Sequence, residues 1–230
     1  IINVNPADNV IIPKNKKNIS KKKELKFFET SQLKQFKDYL DSLPNTFKNY
    51  YHKTLYLTLL STGLRIGEAV ALEWSDIDLE KGIVSINKTL NRYQEVNPPK
   101  SKAGYRDISI DKATILMLKQ YKNRQQVKAW ELGRSETVVF SVFTEKYAYA
   151  CNLRRRLDKH FKNADVTNVS FHGLRHTHAT IMLYAGIQPK DLQHRLGHSD
   201  ISMTLNTYVH ATKEGAQKSA SIFENAINSL

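Results

Sequence analysis

Several kinds of residue are scarce in this chain of 230 residues, and each scarcity excludes a class of protein. Cys151 is its single cysteine, which excludes an internal disulfide and fits a reducing cytoplasm. Nine glycines and six prolines are too few for a collagen-like or low-complexity chain. Apolar runs such as residues 55–57 are far shorter than the roughly 20 residues that cross a bilayer, and no secretory signal is visible.

Acidic residues are scarce as well. The chain has 22 Asp and Glu and 35 Lys and Arg, which gives a formal charge of +13. Such an excess indicates a polyanionic partner, for which a nucleic-acid backbone is the usual candidate. A solvated basic surface without a partner is the alternative. Residues 1–26 hold seven lysines and only two acidic residues, with few apolar side chains, which predicts an extended basic linker.

A second basic cluster lies in a segment of helical periodicity and contains Arg154, Arg155, Arg156, Lys159 and Lys162. Arg155, Lys159 and Lys162 have the i, i+4, i+7 spacing that places side chains on one helix face. Such a face can follow a DNA backbone, although a solvated helix surface has the same pattern. We therefore predict DNA contacts at Arg154, Arg155, Lys159 and Lys162.

Helical periodicity dominates the rest of the sequence. Thr30 or Ser31 is predicted to cap a first helix, and Asp111 a long helix that runs to about residue 130. Further helices are predicted over 52–61, from residue 66, and over 147–163, 171–185, 189–196, 200–207 and 212–228.

Strand patterns are few. Segments 83–88 and 105–110 alternate at period two around a polar, Pro-containing stretch, which predicts an antiparallel hairpin with a long tip. Segment 137–142 is ambiguous between strand and loop. The fold class predicted is α+β, mostly α-helical with a small antiparallel β-sheet.

Arginine and histidine mark two of the segments that are able to carry chemistry. Arg65 lies between two glycines at a helix-to-helix turn, where a guanidinium can be aimed inward; an ordinary pairing with Glu68 is the alternative. His172 and Arg175 are three residues apart, so they share one face of a helical turn.

Two further segments follow near the end of the chain. Gly197 is predicted to end a helix as its left-handed cap and to leave His198 at the turn. Tyr208 comes ten residues later. Each residue alone is weak evidence of function, because a lone histidine or tyrosine is usually a core or surface residue.

Taken together and in order, five motifs resemble the catalytic domain of the tyrosine recombinases, in particular the phage and transposon integrases. They are TGLRIGEA, PPKSKAGYR, HGLRHTHAT, LGHS and TLNTY. The resemblance runs from about Phe28 to the C-terminus and implies the tyrosine recombinase catalytic fold over residues 27–230. It further implies that residues 1–26 are an interdomain linker. The chain begins with Ile and not Met, so we expect a fragment that lacks N-terminal DNA-binding domains.

The resemblance implies a site-specific recombinase that needs neither metal nor ATP and that integrates or excises a mobile element. Tyr208 would attack a DNA phosphate, free a 5′-hydroxyl and form a 3′-phosphotyrosine. Arg65 and Arg175 would bind the non-bridging oxygens, a task that suits planar guanidinium groups. His172 would act in proton transfer to or from the nucleophile, and His198 would hydrogen-bond a phosphoryl oxygen.

A lysine of the hairpin would protonate the leaving 5′ oxygen. Lys100 matches the family's Pro-Lys-Thr pattern with Ser101 in place of Thr, and it is our prediction for this acid. Lys102 is the alternative, since it shares a face with Lys100 if the strand continues that far. Glu68 matches an acidic position of the family motif and is expected to support Arg65.

Two rival functions have a basis in the sequence. The pairs His172/His176 and His194/His198 have metal-ligand spacing, but neither contains the glutamate of a His-Glu-x-x-His zinc motif, so no cofactor is expected. Residues 187–196 and 201–208 resemble a helix-turn-helix, which would suit a non-catalytic DNA-binding protein.

The implied partners are double-stranded DNA carrying a recombination site and further protomers, with no membrane. Ala216, Ala220, Phe223, Ile227 and Leu230 form one apolar stripe on a predicted C-terminal helix. Similar recombinases pass this segment to a neighbouring subunit, which implies a tetrameric synaptic complex; packing on its own domain is the alternative. The place of action would be the cytoplasm of a bacterium, on the DNA of a phage or another mobile element.

Overall fold

Seven helices and five short strands make up residues 26–200, the part of the chain that the computed structural model describes. The helices are α1 (Thr30–Ser42), α2 (Phe47–Thr62), α3 (Ile66–Ala71), α4 (Lys112–Glu131), α5 (Ala150–Asn163), α6 (Ser170–Tyr184) and α7 (Pro189–Leu196). The strands are β1 (Ile77–Asp78), β2 (Ile83–Ile86), β3 (Thr89–Leu90), β4 (Val96–Asn97) and β5 (Arg106–Ser109). None of these helices has both the length and the apolar character that crossing a membrane requires. The predicted linker up to residue 25, the helices predicted over 200–207 and 212–228, and Tyr208 lie outside the described residues.

The central helix is α2, which is buried on nearly every side. Tyr56 and Leu59 are fully buried, and the helix packs against α1, α3, α4 and α6. A helix surrounded in this way belongs in the core of its domain. It begins at Phe47, five residues before the predicted start, because the Thr46 hydroxyl caps it by accepting a hydrogen bond from the Asn49 amide.

Several helix ends lie where the sequence predicted them. Asp111 caps α4, its carboxylate accepting a hydrogen bond from the Thr114 amide at 3.0 Å. Gly63 ends α2 in the left-handed conformation, with φ at 70°. The prediction for α1 is wrong by one position: Glu29 is the extended N-cap residue and its carbonyl already accepts the first helical hydrogen bond, so Thr30 lies inside the helix.

The predicted hairpin is present and forms the centre of a three-stranded antiparallel sheet in the order β1-β2-β5. Val84 pairs with Ile108, and Ile86 with Arg106. All four side chains are buried, and they alternate with more exposed side chains along each strand. The long tip contains a second, two-stranded sheet of β3 and β4, followed by a single 3₁₀ turn that leads into β5.

Segment 137–142 is not a strand, since only Val138 forms a bridge, to Glu73. The Gln125 side-chain amide donates to the carbonyls of both Val138 and Val139 at 3.0 Å. Because a buried side chain satisfies these backbone groups, no ladder is needed to pair them.

Candidate active site

The turn between α2 and α3 holds Arg65 as the N-cap residue of α3. Its side chain is 42% exposed, while Nη1 donates to Glu68 Oε1 at 2.9 Å and Nη2 donates to the Gly197 carbonyl at 3.1 Å. Glu68 Oε2 also accepts from the Arg65 backbone N–H at 2.9 Å. One buried carboxylate therefore fixes both the main chain and the guanidinium of Arg65, while part of the Arg65 side chain stays exposed.

Arg175 enters the same region from α6 and is almost fully buried. Its Nη1 donates to the Gly63 carbonyl at 2.8 Å and its Nη2 donates to the Leu196 carbonyl at 2.5 Å. Burial lowers the pKa of Arg175 to about 9, and the positive charges of Arg65 and Arg106 add to that effect against the opposing charge of Glu68. Arg175 is therefore still a cation at neutral pH.

His172 lies one turn before Arg175 and keeps much of its ring at the surface. Its pKa is lowered first by desolvation and then by the charges of Arg175 and Arg65. The ring meets His176 edge to face, with centroids 4.5 Å apart. At neutral pH His172 is consequently an uncharged imidazole that can accept a proton.

The end of α7 brings the fourth predicted residue into the site. Gly197 is left-handed, with φ at 64°, and His198 follows it as a buried residue. Burial, followed by the charges of Arg175 and Arg65, lowers the pKa of His198 to about 3. The same two arginines act on both His172 and His198, so the structure brings these four side chains into one site.

Helix C-termini organise this site. The last carbonyls of a helix have no intrahelical partner and form the negative end of its dipole, where cations are favoured. Three successive carbonyls at the end of α7, those of Arg195, Leu196 and Gly197, accept from Arg106, Arg175 and Arg65 respectively. The turn after α7 thus belongs to an arginine-lined centre, which a groove-reading helix-turn-helix does not require.

The two candidate lysines are both exposed, beyond the tip sheet. Lys100 and Lys102 do not share a strand face, because Lys102 begins the 3₁₀ turn Lys102–Gly104 and β5 starts only at Arg106. The Tyr105 amide donates to the Lys102 carbonyl in closing that turn. The assignment of the acid to Lys100 therefore stays a prediction.

Two arginines that the sequence analysis did not select are built into the site. Arg106 is completely buried beneath Glu68. Arg195 donates to the carbonyls of Ser61 and Ser109, and to the Nε2 atom of His178. A signal for Arg106 existed, since it stands on the inward side of a period-two strand, where a charge needs a buried partner.

His178 is a packing residue. Its Nδ1 atom makes a 2.8 Å hydrogen bond to the Leu60 carbonyl, and its Nε2 atom accepts from Arg195 at 3.1 Å. A carbonyl can only accept, so the proton is on Nδ1. This bond holds α6 against the end of α2.

The basic face predicted on α5 is present, since Arg155, Lys159 and Lys162 are exposed side chains of that helix. Arg154 differs from them because it pairs with Asp158 at 2.9 Å and donates to Asn168 at 2.8 Å. Three of the four predicted DNA contacts are therefore on a solvent-facing surface, and the fourth is engaged within the protein.

Metal-ligand geometry is missing from the part of the chain between residues 26 and 200, where no three His, Cys, Asp or Glu side chains converge as a metal site would require. Of the second histidine pair, His194 is exposed whereas His198 is buried.

Comparison with known proteins identifies the family. The sequence matches the model of the phage integrase family over residues 26–215. It is 32% identical over 205 residues to a tyrosine recombinase XerC-like protein of Caldanaerobacter subterraneus, which covers 81% of this chain and 51% of that protein. It is 29% identical over 225 residues to the ICEBs1 integrase of Bacillus subtilis, covering 91% of this chain and 56% of the relative. The chain thus spans about half the length of these relatives.

Solved structures of other integrases and recombinases have a similar fold. The Tn1549 transposon integrase in complex with transposon right end DNA superposes with a TM-score of 0.72 at 26% identity, covering 89% of this chain and 68% of that one. The XerA recombinase, at 20% identity, shares the fold with a TM-score of 0.64 over 84% of this chain and 62% of the other. These findings bear out the predicted fold class and give no support to a non-catalytic DNA-binding protein.

Proposed function

This chain belongs to the phage integrase family, and from that membership we propose that it is the catalytic domain of a tyrosine-type site-specific DNA recombinase. It would cut DNA strands through a 3′-phosphotyrosine and rejoin them to new partners, which integrates or excises a mobile element. Relatives that are themselves integrases and recombinases support the proposal.

The observation that carries the proposal is the convergence of Arg65 and Arg175 from segments 110 residues apart. Together with Arg106 they place three guanidinium groups around the single carboxylate of Glu68. Three guanidinium groups carry more positive charge than one carboxylate balances, and part of the Arg65 side chain is exposed. A phosphodiester fits this position because its two non-bridging oxygens match planar N–H donors.

The proposed reaction exchanges one phosphodiester bond for another. The Tyr208 oxygen attacks phosphorus, the bond from phosphorus to the 5′ oxygen breaks, and Lys100 supplies the proton that the 5′ oxygen takes up. Such proton transfer contributes about 10²–10⁴ in rate. Neutral His172 accepts the proton of Tyr208. Arg65, Arg175 and His198 stabilise the charge on the phosphoryl oxygens, and by analogy with arginine fingers each guanidinium is worth roughly 10³ or more.

Rejoining is the same step in reverse. A free 5′-hydroxyl attacks the phosphotyrosine, the bond from phosphorus to the Tyr208 oxygen breaks, and Tyr208 is regenerated. The number of phosphodiester bonds is conserved, so rejoining needs no nucleotide as an energy source.

A covalent-adduct assay tests the proposal. The full chain is incubated in excess EDTA with a nicked duplex carrying an end of its own element, so that the short cleaved fragment diffuses away and traps the intermediate. We expect a protein–DNA band that survives denaturing electrophoresis and that Tyr208→Phe abolishes. Tyr105→Phe removes an exposed hydroxyl of the hairpin and is the matched control that keeps the band. No adduct, or an adduct that appears only after Mg²⁺ or Zn²⁺ is added, contradicts the proposal.

We further propose that the partners are double-stranded DNA, contacted by Arg155, Lys159 and Lys162 of α5, and other copies of this chain. The stripe of apolar residues in segment 212–228 and at Leu230 would dock on a neighbouring protomer in a tetrameric synapse. The complex would act on DNA in the bacterium that carries the element.

A further inference from the structure

Arg106 donates four hydrogen bonds from its side chain, and the reaction described above gives it no role. It lies at the start of β5 with none of its side chain exposed. Nη1 and Nη2 donate to the two oxygens of Glu68 at 3.2 and 2.9 Å, as a fork on a carboxylate. Nε donates to the Arg195 carbonyl at 2.8 Å, and Nη1 also donates to the Gly104 carbonyl at 3.1 Å.

Its contacts join three separate segments of the site. Glu68 binds Arg65 at the start of α3. The Arg195 carbonyl belongs to the end of α7, just before His198. Gly104 ends the hairpin segment that contains Lys100. Each segment comes from a different part of the sequence. Arg106 is therefore the point at which their relative positions are fixed.

Close packing at Gly197 is an independent sign of this arrangement. A Cβ atom at position 197 would lie 2.7 Å from Arg106 Nη1 and 2.9 Å from the Ala103 carbonyl oxygen. The turn that carries His198 thus rests directly on the Arg106 guanidinium. The space between them admits no side chain.

The state of Glu68 depends on this contact. Its two oxygens accept four hydrogen bonds, two from Arg65 and two from Arg106. Burial raises the pKa of the Glu68 carboxyl, but hydrogen bonds and charge from Arg106 and Arg65 more than offset burial and hold that pKa below its usual range. Without the Arg106 fork, Arg65 would be the remaining cation in contact with a buried anion, and it would be drawn away from a ligand.

We propose that Arg106 is a positioning residue: by holding Glu68 in a bidentate fork, it keeps the Arg65 guanidinium turned toward the phosphate and locks the Lys100 and His198 segments around it. The inference rests on the proposed function for the identity of the phosphate ligand. Geometry, and not charge alone, is what Arg106 supplies.

Arg106→Lys is the informative variant, because it keeps the charge and loses the fork. We expect the adduct to form about 10- to 100-fold more slowly, the effect of losing hydrogen bonds to a charged group, with DNA affinity nearly unchanged. In an NMR titration of the full chain, Arg106→Lys should bind inorganic phosphate about 10-fold more weakly than the wild type for the same reason. Arg124→Lys is the matched control and should resemble the wild type, because it changes a half-buried arginine of α4 that donates to Asn45 Oδ1 and to none of the site residues.

Thermal melting separates positioning from folding. Arg106→Met leaves the buried Glu68 carboxylate without its bidentate partner, and this variant can fail to fold for that reason alone. The double variant Arg106→Met/Glu68→Gln removes the buried charge as well. It should therefore melt close to the wild type while still cleaving slowly. Folded Arg106→Lys with wild-type phosphate affinity and wild-type cleavage would overturn the inference. If the wild type forms no adduct, the proposed function fails, yet the phosphate titration still decides the role of Arg106.

Discussion

At the residue scale, the site consists of cations held by backbone carbonyls and of imidazoles kept neutral by burial and by those cations. Arg175 is anchored to the carbonyls of Gly63 and Leu196, and its charge adds to the effect of burial in lowering the pKa of His172 and His198. Charge repulsion among the guanidinium groups is only partly balanced by Glu68. A phosphate bound between Arg65 and Arg175 would supply the missing negative charge.

Buried histidines away from the site give the fold a dependence on pH. His52 lies inside the core, 6% exposed, and burial followed by the charges of His160, Arg156 and Lys48 lowers its pKa to about 4 from 6.5. Between pH 6.5 and 4 the unfolded chain binds a proton at His52 that the folded chain does not. The free energy of unfolding therefore falls as the pH is lowered through that interval.

We expect His52 to account for about 3 kcal/mol of this loss by pH 4, since one unit of pKa difference corresponds to about 1.4 kcal/mol. Urea denaturation at a series of pH values measures it. His52→Phe keeps a ring and removes the titration, so its stability should fall less steeply below pH 6.5. His194→Phe changes an exposed ring and serves as control. Equal slopes for His52→Phe and the wild type would show that His52 is not the titrating group.

At the element scale, two helix C-termini face each other across the arginines. Carbonyls at the end of α2 accept from Arg175, Arg195 and His178, and those at the end of α7 accept from Arg106, Arg175 and Arg65. Left-handed Gly63 and Gly197 end these helices. Both turns were predicted from the sequence, because a glycine after a periodic segment is a local signal.

Contacts between distant segments were harder to predict. The Arg106–Glu68 fork joins residues 38 apart, and no local pattern states which buried carboxylate meets which arginine. Segment 137–142 had strand-like composition, but its backbone is paired by single hydrogen bonds with Leu72 and Trp74 and by the Gln125 side chain of α4. The motifs indicated Arg65, His172, Arg175 and His198 as a set, whereas the geometry of that set depends on residues the motifs do not single out.

Gly197 and Gly133 provide a matched test of the turn after α7. Both have φ at 64°, but a Cβ at Gly133 meets nothing within 4 Å, whereas one at Gly197 lies 2.7 Å from Arg106 Nη1. Gly133→Ala should cost about 1–2 kcal/mol of stability, the penalty of a left-handed alanine, and leave cleavage unchanged. Gly197→Ala should cost more and also slow adduct formation, because the displaced turn carries His198. Chemical denaturation and the adduct assay measure both; identical behaviour of the two variants would exclude close packing at Gly197.

At the scale of the whole molecule, charge and assembly matter most. The formal charge of +13 and the exposed face of α5 favour a DNA backbone, while the chain spans only about half of the relatives it matches. Contacts to phosphate groups position a protein on DNA but do not read its sequence. We therefore expect modest sequence preference and strong dependence on salt.

Replacing Arg155, Lys159 and Lys162 with Gln should make DNA binding less sensitive to salt. The slope of log affinity against log salt should become shallower by about 0.9 for each phosphate contact removed. Lys119→Gln/Lys128→Gln is the control, since those lysines of α4 pair with Glu80 and Glu131 within the protein. Fluorescence titrations at several salt concentrations give the slopes. A slope unaltered by the α5 triple variant would place that face away from the DNA.

Removing the chain from Lys213 onward tests assembly. If the apolar stripe of segment 212–228 docks on a neighbour, the truncated protein should bind single sites normally but form few complexes on paired sites. Native gels with one-site and two-site duplexes separate these steps. Synapsis at the wild-type protein concentration would mean that the segment packs on its own domain.

The central claim is that Tyr208 becomes covalently joined to a DNA 3′-phosphate within this arginine site. Nuclease digestion of the trapped adduct followed by tandem mass spectrometry locates the modified residue and the polarity of the linkage. We expect a nucleotide attached through its 3′-phosphate to Tyr208 and a free 5′-hydroxyl on the released fragment. A nucleotide on another side chain, such as Tyr105, or a linkage through the 5′-phosphate, would contradict it.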